Sequence, residues 1–105
     1  MEILQYLEST GRNPFAAWFD ALDPQAAAKV AIAVARLEQG NFSNTKGVGH
    51  GVLESRIDFG PGYRVYFGRD GDTLIILLGG GTKKRQRQDI VTAHTRWNDY
   101  KRRRT

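Results

Sequence analysis

The sequence has no cysteine. Disulfide staples, thiolate zinc sites and cysteine nucleophiles are therefore excluded. The absence suits a reducing compartment, and the chain reads as cytoplasmic. Long apolar runs are missing too. The most strongly apolar one, Leu74 to Leu78, has five residues, far short of the roughly 20 needed to cross a bilayer. Met1-Glu2-Ile3-Leu4-Gln5 has no basic segment followed by an apolar stretch, so no export signal is expected there. Histidine is scarce, at two. Neither His has a carboxylate cluster or a second His at ligand spacing, so no metal site is expected. A Walker loop, a dinucleotide fingerprint, a nucleophile elbow and a zinc finger are all absent, and no cofactor is expected.

What is present is basic. The 105 residues are one domain's worth and carry a net charge of +5. Residues 1–45 hold three basic and five acidic side chains; residues 46–105 hold thirteen and six. The second part therefore stands at +7 against −2 for the first. Such asymmetry fits a cationic face for nucleic acid or an acidic protein segment. A solvated surface with a basic tail fits equally well.

The chain order follows from turn and capping signals. Glu2 to Leu7 reads as a short strand ending near Ser9-Thr10-Gly11. Asn13-Pro14 and Asp23-Pro24 each combine an N-cap with proline at the first helical position. Phe15, Trp18, Phe19 and Leu22 make one apolar stripe, and Val30, Val34 and Leu37 another, with Gly40 as a stop. Residues 40–51 read as a Gly-rich loop. Three strands follow: Val52 to Phe59, Tyr63 to Gly68 and Thr73 to Leu78. They are separated by Gly60-Pro61-Gly62 and by Asp70-Gly71, and closed by Gly79-Gly80-Gly81. The all-apolar third strand is expected to be central. From about Gln86 a helix carries Ile90, Ala93, Trp97 and Tyr100 on one stripe. The predicted fold is α+β, in the order β-α-α-β-β-β-α, with an antiparallel sheet core, two N-terminal helices and a C-terminal helix, all in one domain, 1–105.

Strand alternation sorts the chemistry. Leu53, Ser55, Ile57 and Phe59 share one face, as do Tyr63, Val65 and Phe67. Glu54, Arg56, Arg64 and Tyr66 fall on the other, which an open sheet would present to solvent. An ordinary ion-paired surface is the simpler reading of that row. Lys83, Lys84, Arg85 and Arg87 follow the triple glycine at a strand-to-helix junction, where glycine and a helix start favour a bulky anion. A solvated charge run explains them as well. His50, four residues after Lys46 in the Gly-rich loop, could exchange protons near neutral pH, or be plain surface. His94 borders the apolar stripe of the last helix and reads as structural.

The segments Leu-Glu-x-Arg, Gly-Pro-Gly-Tyr-Arg-Val-Tyr and Leu-Leu-Gly-Gly-Gly-x-Lys occur in that order within GVLESRIDFGPGYRVYFGRDGDTLIILLGGGTKKRQRQDI. With NPFAAWFDALD before them, they make residues 2–100 resemble the RelE/ParE superfamily of toxins, closest to the HigB-like addiction-module killer branch. The resemblance implies the RelE-like fold and a toxin of a type II toxin–antitoxin system. It also implies a cognate protein antitoxin as partner, held in a hetero-oligomer, and no membrane role. RelE and HigB types cut mRNA in the ribosomal A site without a metal: the 2′-hydroxyl attacks the adjacent phosphate, and fixed cations stabilise the developing charge.

Carried over onto this sequence, the resemblance makes Arg64 a phosphate-binding arginine and puts Arg56 at the basic position of the neighbouring strand. Lys83 or Lys84 becomes the basic residue after the last strand, and Glu54 a base or an orienter of Arg56. Lys46 and His50 lie where relatives place basic or His residues. Arg85, Arg87 and His94 extend the RNA-binding set. One departure stands out. Several relatives supply a tyrosine soon after the last strand, where this chain reads Arg85-Gln86-Arg87-Gln88-Asp89. The proton-transfer role is open among His50, His94 and Glu54. A ParE-like gyrase poison and a non-catalytic antitoxin-binding module are the alternatives that share the fold.

Overall fold

The computed structural model describes residues 1–104. The elements are β1 (Glu2–Gln5), α1 (Pro14–Asp20), α2 (Pro24–Glu38), β2 (Thr45–Gly47), β3 (Val52–Ile57), β4 (Tyr63–Asp70), β5 (Leu74–Thr82), a 3-10 turn (Lys83–Arg85) and α3 (Gln86–Arg103). Both expected caps form. The Asn13 side chain accepts from the Ala16 N–H at 3.0 Å and that of Asp23 from the Ala26 N–H at 2.9 Å, each pairing one of the donors left over at a helix start. Among the described residues no helix is long and apolar enough to cross a membrane.

The α+β class is observed, with the sheet order β1-β5-β4-β3-β2. β2 to β5 are antiparallel neighbours, and β1 joins β5 in parallel, Glu2 opposite Leu74 and Gln5 opposite Leu77. β5 is therefore paired on both sides over its apolar half, which explains its unbroken run of Ile75, Ile76, Leu77 and Leu78. One face packs on α1 and α2 through Phe15, Val30, Leu37, Val65, Phe67 and Leu77. The other packs on α3 through Val52, Tyr66, Ile76, Leu78, Ala93 and Trp97. Each large apolar side chain fully buried this way contributes about 1.5–3 kcal/mol.

Three sequence expectations change. The segment expected as a loop between Gly40 and Gly51 contains β2, which pairs with β3 as a short edge. Its glycines hid it, because they deplete a segment of strand signal. The triple glycine does not close β5, which continues to Thr82. A β-bulge explains how. Phe67 pairs with Leu77, but Tyr66 pairs with Gly79, so Leu78 is the extra residue. After it the pleat is reversed. Gly79 and Gly81 face α3, with Arg96 and Asp89 where their Cβ atoms would stand, and Gly80 lies against the Trp18 ring. The third change is the roof that α3 forms over the face expected to be open.

Candidate functional site

The register builds two rows on the α3 face of the sheet. Lys46, Glu54, Tyr66 and Gly79 lie opposite one another across β2 to β5, and Arg56, Arg64 and Gly81 form the next row. The sequence pattern placed Glu54, Arg56, Arg64 and Tyr66 together, and the sheet does so. It was wrong about solvent. Glu54 is 1% exposed, Arg64 5% and Tyr66 1%, because the 3-10 turn and the start of α3 cover them. Of the four, only Arg56 is exposed.

The buried groups engage one another. Glu54 Oε1 lies 3.7 Å from Arg64 Nε and 4.0 Å from Lys46 Nζ. The Gln86 side-chain amide donates to Glu54 Oε2 at 2.8 Å, and Arg64 donates to the Gly62 carbonyl at 3.0 Å. Among the described residues, four buried side-chain atoms make no hydrogen bond: Glu54 Oε1, Arg64 Nε, the Tyr66 hydroxyl and Asp89 Oδ2. All four belong to the layer between the sheet and the first turns of α3. Buried polar atoms are ordinarily paired, so this layer holds unmet hydrogen-bonding capacity. Burial, followed by the Glu54 and Asp89 carboxylates, pushes the Tyr66 phenol well above its usual 10. It is thus a neutral hydroxyl near pH 7. Burial likewise raises Asp89, against the opposing pull of Arg85 and Arg96.

Exposed cations surround this layer. The Lys46 side chain keeps 65% of its surface. Arg56, Lys83, Lys84, Arg85 and Arg87 are all exposed. Lys83 stands beside the Arg64 loop, its backbone N–H donating to the Gly62 carbonyl at 2.8 Å. Arg85 Nε lies 3.9 Å from Asp89. Lys84 and Arg87 have no specific contact that ties them to Glu54.

The two histidines form a separate pair. Their ring centroids are 4.3 Å apart, and His94 Nε2 is 2.9 Å from the Val48 carbonyl oxygen. His50 sits at φ 56°, in the left-handed region. His94 is eight residues along α3 from Gln86, about 12 Å of helix, so the pair fastens the β2–β3 hairpin tip rather than joining the Glu54 layer. Sequence reasoning assigned no role to Tyr66, Gln86, Asp89 or Arg96. Strand alternation pointed to Tyr66. The three helical residues carry no local signal, since their position depends on how α3 crosses the sheet. Among the described residues no cluster of three or more His, Asp or Glu could hold a metal ion.

The family described as "Phage derived protein Gp49-like (DUF891)" matches residues 17–98. The chain belongs to this family, which is of the RelE/HigB-like toxin type. It is also similar to an uncharacterized protein of Haemophilus influenzae, 44% identical over 80 residues, covering 75% of this chain and 81% of that relative.

Proposed function

We propose that the chain is the toxin of a type II toxin–antitoxin system and a metal-independent endoribonuclease that cuts mRNA in the ribosomal A site. The observation that carries this reading is the Glu54–Arg64 pair at 3.7 Å, set in register with Lys46 and Tyr66 and bordered by exposed Arg56 and Lys83. Cleavage of RNA through its own 2′-hydroxyl needs a proton acceptor, a proton donor and fixed positive charge at the phosphate. RNA reaches this covered layer by lifting the 3-10 turn, and Glu54 Oε1, without a hydrogen bond, then takes the 2′-hydroxyl proton as oxygen attacks phosphorus. Lys46 gives a proton to the departing 5′-oxygen and recovers one from Glu54, 4.0 Å away. Arg64, Arg56 and Lys83 hold the charge that develops on the phosphoryl oxygens. Tyr66, a neutral phenol and the cross-strand neighbour of Glu54, lies beside the carboxylate without adding charge. A protein antitoxin would neutralise the toxin by covering the exposed cations.

The test is to express the protein and map mRNA 5′ ends in cells, with Glu54→Gln and Arg56→Ala beside it. New ends within translated codons are expected, reduced about 10²–10⁴-fold in rate for Glu54→Gln. Growth arrest with intact mRNA and altered DNA supercoiling would replace this reading with gyrase poisoning.

A further inference from the structure

β1 stops pairing at Gln5 opposite Leu77, whereas β5 runs on to Thr82. The last five residues of β5 therefore have no strand on that side. The edge is open, and it forms the floor of a cleft of about 340 Å³ between α1 and α3. That volume lies at the small end of ligand-sized pockets. Trp18 and Pro14 line it from α1, Thr92 and Arg96 from α3, and the Gly79–Gly80 backbone from below.

Three arginines from three separate segments converge on the cleft: Arg12 before α1, Arg85 in the 3-10 turn and Arg96 on α3. Arg96 is anchored, donating to the Leu78 carbonyl at 2.9 Å. Arg12 and Arg85 are more than half exposed, and each meets one carboxylate, Glu8 at 3.4 Å and Asp89 at 3.9 Å. Three cations against two anions leave the cleft positive. A guanidinium has five N–H donors, so most of those on Arg12 and Arg85 are free for a ligand. The second observation comes from beneath. Tyr66, 1% exposed and with its hydroxyl unpartnered, also lines the cleft. It is the cross-strand neighbour of Glu54. The cleft and the Glu54 layer thus share two side chains, Tyr66 and Asp89.

We propose that this cleft is a second RNA subsite, which holds a nucleotide flanking the one at Glu54 and Arg64. The inference rests on the endoribonuclease reading and extends it. The flanking phosphate lies on Arg12, Arg85 and Arg96. The base lies against the part-exposed Trp18 ring, a surface that tolerates any base. The exposed Lys83, Lys84 and Arg85 bridge the two subsites over the 3-10 turn. An acidic protein segment would also suit the charge. The small volume and the shared Tyr66 favour a nucleotide.

The probe is a fluorescein-labelled single-stranded RNA hexamer, 2′-O-methylated throughout so that it cannot be cut. Its binding to the full chain is followed by anisotropy across a salt series. An Arg12→Gln/Arg85→Gln double variant is compared with Lys29→Gln/Arg36→Gln, which removes the same charge from α2. The cleft variant is expected to bind at least about tenfold more weakly, with the log–log salt slope reduced by about 0.7 for the one phosphate lost. The α2 variant is expected to stay near the parent. Equal losses in both variants overturn the proposal. So does an acidic polyglutamate peptide that needs Arg12 and Arg85 while the hexamer does not. If hexamer binding depends on the cleft but no mRNA is cut in cells, the subsite stands and the nuclease reading fails. If mRNA is cut and the cleft variant binds normally, the nuclease reading stands and the subsite is overturned.

Discussion

Replacing Gly80 with alanine tests why β5 carries three glycines in a row. A Cβ at this position would stand 2.3 Å from the Cε3 and Cζ3 atoms of Trp18. That ring cannot swing aside freely, because it packs on Phe15 at 5.9 Å and Tyr63 at 6.4 Å between centroids. Overpacking of this kind costs about 1–3 kcal/mol, and the rigid ring puts Gly80→Ala near the top of that range. Alanine also restricts the unfolded chain, which returns about 0.4–1 kcal/mol. The net cost is about 2 kcal/mol. For a domain of this size, that corresponds to a Tm lower by roughly 8–16 °C. Thermal unfolding followed by circular dichroism reads it directly. Gly47→Ala is the control. Its Cβ would meet nothing within 4 Å, and its effect is expected within about 0.5 kcal/mol. In a Trp18→Ala background the Gly80→Ala penalty should vanish. If Gly80→Ala melts with the parent, or if its penalty persists without Trp18, the close-approach argument is refuted. Unchanged stability with lost RNA binding would return the glycines to the anion-cradling role that the sequence suggested.

Two further outcomes follow from the buried and charged groups. Arg64→Met leaves Glu54 buried with only Gln86 and a largely exposed Lys46; urea unfolding should show a loss of about 3 kcal/mol, much of it recovered in Glu54→Gln/Arg64→Met. A double variant no more stable than Arg64→Met would contradict the pairing. The Asp99 carboxyl is held below its ordinary 3.8 by the Tyr6 hydroxyl and then by Arg103. Its contribution is present above that ordinary value and lost as pH falls through the folded one. The parent should thus lose stability more steeply than Asp99→Asn below about pH 4, as measured by unfolding midpoints across pH. Parallel midpoint curves would remove Asp99 from the acid response.

Local signals carried most of the fold. The caps at Asn13 and Asp23, the stripes on the helices and the alternation in β3 and β4 were all visible in the residues. So was the row that joins Glu54, Arg56, Arg64 and Tyr66, because alternation alone decides which side chains share a face. Its burial was not visible. Whether Arg64 sees water depends on where α3 lands, and the stripe of Ile90, Ala93, Trp97 and Tyr100 says only that α3 packs on something. The bulge at Leu78 was hidden for a related reason. Leu78 is as apolar as its neighbours, and its extra place in the ladder appears only against β4. The α1–α3 cleft depends on that bulge and on a strand, β1, that ends early, so no single segment announces it.

The parallel pairing of β1 with β5 also sets an order of events during synthesis. Residues 2–5 are made long before their partners at 74–77. The sheet cannot close until β5 is made, and such distant contacts form slowly. α3, which buries the Glu54–Arg64 layer and walls the cleft, comes later still than β5. An unfinished chain therefore has no assembled site. Both sites exist only once α3 has folded onto the sheet, so a partner that captures a nascent chain before α3 emerges meets it before either site exists.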